Sequence, residues 1–179
     1  MMGWAQVILA LCALQRLVEL AIARRNEQRL RALGAVEHGA AHYKLIVAVH
    51  AAWFAALALV LRPDTAVVWP LIVVFVLLQL GRIWVLATLG RFWTTRIISV
   101  PGAPLVARGP YRFLRHPNYA IVAAEIAVLP LAFGQWTIAA VFTALNAAVL
   151  WLRIRTEDAV LAQRRGAAAA AEPGLQPRI

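Results

Sequence analysis

Gly109-Pro110-Tyr111-Arg112-Phe113-Leu114-Arg115-His116-Pro117-Asn118-Tyr119 is the stretch on which the reading of this chain turns. Within eleven residues it gathers two Arg, a His, an Asn, two Tyr, two Pro and a Gly, and an apolar run resumes at once. Almost everywhere else the sequence is Ala, Leu, Val and Ile. A polar, turn-rich knot in such a chain has two readings. It is a chemical site, or it is a loop whose charges set topology.

The surroundings are those of an integral membrane protein. Of 179 residues, 63% are hydrophobic and 15% charged, with a mean hydropathy of +0.73. A soluble domain is less apolar and more charged. The net charge of +10 gathers at the ends of apolar runs. That pattern fits topology and anionic lipid, and no basic face on a soluble fold suggests nucleic acid. The one cysteine, Cys12, lies inside an apolar run and reads as a small buried hydrophobe.

Outward from the knot, the runs Trp4 to Ala23, Tyr43 to Leu61 and Ala66 to Leu89 are each long enough to span a bilayer. Arg16 and Glu19, at i, i+3, read as a structural pair near the interface. Gln79 and Arg82 interrupt the third run, whose second half is expected to line a polar cavity. Gly34 to His42 reads as a turn region. There His38 and His42 fall at i, i+4, but no third ligand of suitable spacing accompanies them, so no metal is expected. From Gly90 to Tyr119 no apolar period survives. Ala120 to Phe133 and Thr137 to Trp151, joined at Gly134-Gln135-Trp136, read as a helical hairpin whose first arm is short.

The expected fold is therefore an all-α membrane protein of about five transmembrane helices. Residues 1–165 form one domain, with a catalytic core at about 91–163, and 166–179 are a flexible tail. The segments 24–31, 91–115 and 153–165 hold thirteen of the eighteen basic residues. Five crossings put all three on one side, which places the N-terminus outside and the C-terminus in the cytoplasm.

That side also holds the acids. Arg153 and Glu157 share a helix face, and topology gives no reason for the adjacent acids Glu157 and Asp158. Glu125 lies in an apolar arm, where an acid needs a partner. The structural reading pairs it with Arg112 or Arg115; the other makes it functional.

Gly-Pro-Tyr-Arg-x-x-Arg-His-Pro-x-Tyr at 109–119, an apolar hairpin, then Arg-x-x-x-Glu-Asp at 153–158 resembles the isoprenylcysteine carboxyl methyltransferase family over about residues 91–163. Its members are membrane methyltransferases dependent on S-adenosylmethionine. Phospholipid N-methyltransferases share the Arg-His-Pro core and the acidic pair. Asp158 stands where the family usually has a second Glu. Residues 116–125 look closer to a bacterial branch that includes enzymes O-methylating alkylpyrones and related phenolic lipids. Ile121 and Val122 stand where the eukaryotic enzymes commonly carry a Gly.

The resemblance implies an S-adenosylmethionine site. Glu157, with Asp158, suits the ammonium or ribose hydroxyls. His116 and the loop backbone at Gly109 and Pro117 suit the carboxylate and adenine edge. Leu105 and Val106 flank the adenine, and Tyr111 and Tyr119 offer aromatic faces to a sulfonium. Arg153 holds the acceptor oxygen, and Glu125 or His116 takes a proton where the acceptor is a phenol. The acceptor is expected to be lipophilic and to enter from the bilayer. An alkylpyrone or alkylresorcinol ranks ahead of a prenylated carboxylate, and a phospholipid amine follows. A membrane NADPH-dependent reductase and a non-enzymatic scaffold are the readings from other classes.

Overall fold

The computed structural model describes residues 2–101 and 106–171, with side chains to Gln163. Five helices carry the chain: α1 (Trp4–Ala32), α2 (Ala40–Val60), α3 (Trp69–Leu89), α4 (Pro117–Ala132) and α5 (Trp136–Ala171). Four are long and apolar enough to cross a membrane. The other, α4, has 16 residues, about 24 Å at 1.5 Å per residue, short of a ~30 Å hydrocarbon core. Large apolar side chains such as Leu59, Leu77, Leu17 and Trp136 face outward along the bundle, as contact with lipid requires.

The chain reverses where glycine permits it. Gly134 (φ 68°) ends α4, with Gln135 N–H donating to the Pro130 carbonyl at 2.9 Å and Gly134 N–H to that of Leu131 at 3.0 Å. These bonds satisfy carbonyls that a helix end otherwise leaves open. The helix α5 continues to Ala171, through residues expected to be a flexible tail, because the Ala run there has the highest helix propensity of any residue.

Two features join the helices inside the apolar region. Pro130 lies within α4 and has no N–H to give to Ile126, four residues back. Trp53 of α2 supplies the missing donor, Nε1 to the Ile126 carbonyl at 3.2 Å. Lipid offers no substitute. Trp53→Phe is expected to lower stability by about 2 kcal/mol, within the range for a buried group left unpaired. Thermal unfolding in detergent measures it.

The second feature is an ion network. Arg16 pairs with Glu19 at 2.7 Å, as the spacing suggests. Arg16 also reaches Glu125 at 2.6 Å. Arg82 grips Glu19 through Nε at 2.8 Å and Nη2 at 2.7 Å and lies 3.5 Å from Glu125. Gln79 donates to Glu125 at 2.8 Å, and Gln15 to Gln79 at 2.8 Å. Two guanidinium groups and two carboxylates therefore cancel within one buried cluster across α1, α3 and α4. The expected polar cavity at Gln79 and Arg82 is instead this closed network, and the partners of Glu125 are Arg16 and Arg82, not Arg112 or Arg115.

At the far end the two polar linkers meet. Val36–His38 (β1) pairs antiparallel with Ile97–Ser99 (β2), Glu37 opposite Ile98. Neither strand has a periodicity that the sequence displays. Tertiary contacts hold them: Arg96 donates to Glu37 at 2.5 Å, Arg31 pairs with Glu37, and His38 Nε2 lies 2.9 Å from Ser99 Oγ. Asn26 of α1 donates to the carbonyls of Gly90 at 3.1 Å and Trp93 at 2.9 Å. The loop after α3 is thus tied to α1, and the strand pair contacts α5.

Candidate active site

The opening stretch folds as a 3₁₀ turn, Gly109–Arg112, followed by the start of α4. Gly109 has φ +58°, and a Cβ there would lie 2.5 Å from Thr88 Oγ1 of α3. Both the left-handed backbone and the close approach demand glycine. Pro117 occupies the first turn of α4, where its missing N–H costs nothing. The knot is thereby pressed against α3 at one end and leads directly into α4 at the other.

His116, immediately before Pro117, faces the acids of α5. Its Nε2 lies 3.1 Å from Asp158 Oδ1 and its Nδ1 3.6 Å from Glu157 Oε2. Its hydrogen bonding and proximity to Glu157, with Asp158 adding, hold the imidazole pKa above its ordinary value against the opposing effect of burial. Its ring stacks on Tyr119, centroids 5.4 Å apart and planes 19° from parallel. Burial, reinforced by the Glu157 charge, pushes the Tyr111 hydroxyl pKa up, so it stays a phenol.

Arg153, one turn before Glu157 on α5, is 6% exposed. Its Nη2 donates to the Thr95 carbonyl at 2.9 Å and its guanidinium lies 5.8 Å from the centre of the Tyr119 ring. Among the described residues its Nη1 is buried with no partner, as is Asn118 Oδ1 beside Tyr119 in sequence. Thr156 of the same turn lies 3.4 Å from His42 Nδ1.

The structure therefore brings together Tyr111, His116, Tyr119, Arg153, Glu157 and Asp158. It does not bring in Glu125, which Arg16, Arg82 and Gln79 hold within the ion network. Val106 lines a concavity of about 600 Å³ with Thr88, Phe92 and Arg108, a lining that includes neither His116 nor Glu157. Leu105 lies outside the described residues. Thr95 had no sequence signal, because its contribution is a backbone carbonyl. Asn118 stands inside the opening stretch, at the variable position between Pro117 and Tyr119.

His116 gives the cluster a pH signature. A pKa raised by folding means that the protonated histidine stabilises the fold, fully below its ordinary value near 6.5 and progressively less as pH rises through the raised value. The stability lost in His116→Gln is accordingly expected to be larger at pH 6 than at pH 9. Melting curves of both proteins across that range check the sign.

Known proteins add what geometry alone cannot. Residues 71–163 match the model of the isoprenylcysteine carboxyl methyltransferase family. The chain is 38% identical over 159 residues to the uncharacterized protein YpbQ of Bacillus subtilis (strain 168), covering 87% of this chain and 95% of that one. No solved structure matches. The family match begins in α3 and takes in the knot, the hairpin and the acidic pair, and with a relative aligned over nearly its whole length it shows that this chain belongs to the isoprenylcysteine carboxyl methyltransferase family.

Proposed function

We propose that the protein transfers a methyl group from S-adenosylmethionine to an ionised oxygen of a lipid-tailed acceptor, an alkylpyrone-like polyketide lipid first. Family membership implies membrane methyl transfer with this donor as the general cosubstrate. The observation that carries the rest is Arg153, a buried cation with an open Nη1 one helical turn from Glu157.

The residues present fit the donor. Glu157 and Asp158 have side chains 32% and 42% exposed, so their outer oxygens are open to an ammonium or to ribose hydroxyls. The unpaired Asn118 Oδ1 can accept an N–H, and Tyr119, stacked on His116, supplies an electron-rich ring at the cluster. Bound there, the donor supplies an electrophilic sulfonium methyl. The chain's task is orientation, which by itself accounts for much of the acceleration in such displacements.

The cluster favours a proton on its histidine. Glu157 and Asp158 beside His116 stabilise the imidazolium, which makes His116 a poorer base. Glu125 is bound by two arginines elsewhere. An acceptor already ionised at neutral pH, an acidic enol or a carboxylate, needs only the Arg153 cation. A phenol with a pKa near ~10 needs a base as well. This ranks a hydroxypyrone ahead of a resorcinol and keeps a prenylated carboxylate as the second reading. The acceptor's apolar body enters from the lipid between helices, and the cluster lies at the cytoplasmic face, where the basic segments converge.

Calorimetry with detergent-purified protein tests the reading. S-adenosylmethionine is expected to bind saturably, NADPH not, and Glu157→Gln to weaken donor binding about tenfold, the loss of one charged hydrogen bond. Absence of donor binding by a folded sample would overturn the proposal. Saturable NADPH binding would favour a reductase.

A further inference from the structure

The helix α5 carries a row of polar groups that the fold buries and leaves unpaired. Asn146 is 1% exposed, and among the described residues neither its amide nitrogen nor its oxygen has a partner. Thr143 Oγ1, one turn nearer the helix start, and Arg153 Nη1, two turns nearer its end, are buried and unpaired as well. At 3.6 residues per turn, Thr143, Asn146, Arg153 and Glu157 fall within a stripe about 80° wide. Buried Ala139 and Leu150 share it, so it is the face α5 turns into the bundle.

An unpaired amide in such a place costs about 1–3 kcal/mol. Where water is scarce no other group relieves it. Packing alone would be better served by Leu. A buried amide whose donor and acceptor both lack partners is therefore an unfilled demand for a ligand carrying hydrogen-bonding oxygen.

We propose that Thr143, Asn146 and the open Nη1 of Arg153 form an acceptor-head subsite. It takes a lipid whose polar head bears a carbonyl or hydroxyl oxygen beyond the one that is methylated. The proposal rests on the methyl-transfer reading above. The order along the stripe is Glu157 on the donor side, Arg153 at the reacting oxygen and Asn146 deepest. Asn146 lies about 10 Å along the axis from Arg153, backbone to backbone. A carboxylate has both oxygens on one carbon, and Arg153 can engage both, leaving Asn146 unserved. A ring with oxygens on separate carbons extends past Arg153 toward the amide. The subsite therefore selects oxygenated rings over simple lipid carboxylates, as a site built to bond a polar group rejects an analogue that lacks it.

The test measures binding without methyl donor, in detergent, of a 6-alkyl-4-hydroxy-2-pyrone and a fatty acid of equal chain length. Asn146→Leu is expected to bind the pyrone at least about tenfold more weakly, a tenfold loss being about 1.4 kcal/mol. Its affinity for the fatty acid should change by less than twofold, and donor binding by calorimetry should be unchanged. The unliganded variant should melt higher by about 2–4 °C, because an unpaired polar group has been replaced by a hydrophobe of similar volume. Thr143→Val, a near-isosteric loss of one hydroxyl, should weaken pyrone binding about threefold and serves if Asn146→Leu fails to fold. Unchanged pyrone affinity in the variants would overturn the subsite. So would a lower melting temperature in a folded Asn146→Leu, the mark of an amide that a buried water satisfies. A wild-type protein that ignores the pyrone would also overturn it. Failure of donor binding counts against the methyl-transfer reading alone, since the pyrone measurement stands without it.

Discussion

Arg153→Gln is expected to lower methyl transfer, measured as kcat/KM with labelled donor and an extracted lipid pool, by about 10²–10³-fold. That range matches removal of a preorganised donor at a reacting oxygen. Donor affinity by calorimetry should fall far less. The asymmetry follows from position. Arg153 is buried between Thr95 and Tyr119 with Nη1 open, whereas the acids suited to the donor are Glu157 and Asp158. Arg153→Lys should recover little. Only a planar guanidinium bonds Thr95, lies near the Tyr119 ring and still presents a second N–H. An equal loss of donor binding and of transfer in Arg153→Gln would move this residue from the acceptor to the donor.

Glu125→Gln is expected to destabilise the protein by about 3 kcal/mol, the low end for breaking a buried pair. The loss leaves Arg16 and Arg82 sharing the single charge of Glu19. Gln offers an oxygen to Arg16 and an amide that has no acceptor waiting, since Gln79 already donates to this position. The double variant Glu125→Gln, Arg16→Gln restores charge balance and should recover part of the loss, and the thermal-unfolding cycle measures the coupling directly. A Glu125→Gln protein with wild-type stability and no transfer activity would assign this carboxylate to catalysis instead. The two substitutions thus separate an acceptor cation from a structural anion, although both residues are ionisable groups buried by the same bundle.

Much of the candidate site was legible because its residues are chemically out of place. His116, Tyr119 and the acidic pair stand out against Ala, Leu and Val, and the hairpin between them has a length that returns α5 to the level of the knot. Glu125 stands out in the same way, but its partners do not. Arg112 and Arg115 are near in sequence, while Arg16 lies 109 residues away on α1. Asn146 is inconspicuous in the sequence for the opposite reason. A single amide barely interrupts an apolar run, and only its complete burial without partners makes it conspicuous.

The sequence by itself determined the membrane class, the apolar helices, the grouping of basic segments at one end and the family. These depend on composition, run length and local order, which need no knowledge of neighbours. The tertiary structure decided which charges cancel, that β1 and β2 pair across about sixty residues (Val36 with Ser99), and which polar atoms on α5 are left open. Such facts depend on the rotation of each helix about its axis and on contacts between distant segments. In an almost uniformly apolar chain the hydrophobic pattern hardly constrains that rotation. The few buried polar groups set it, by the partners they find or, at Asn146, by the partner they lack.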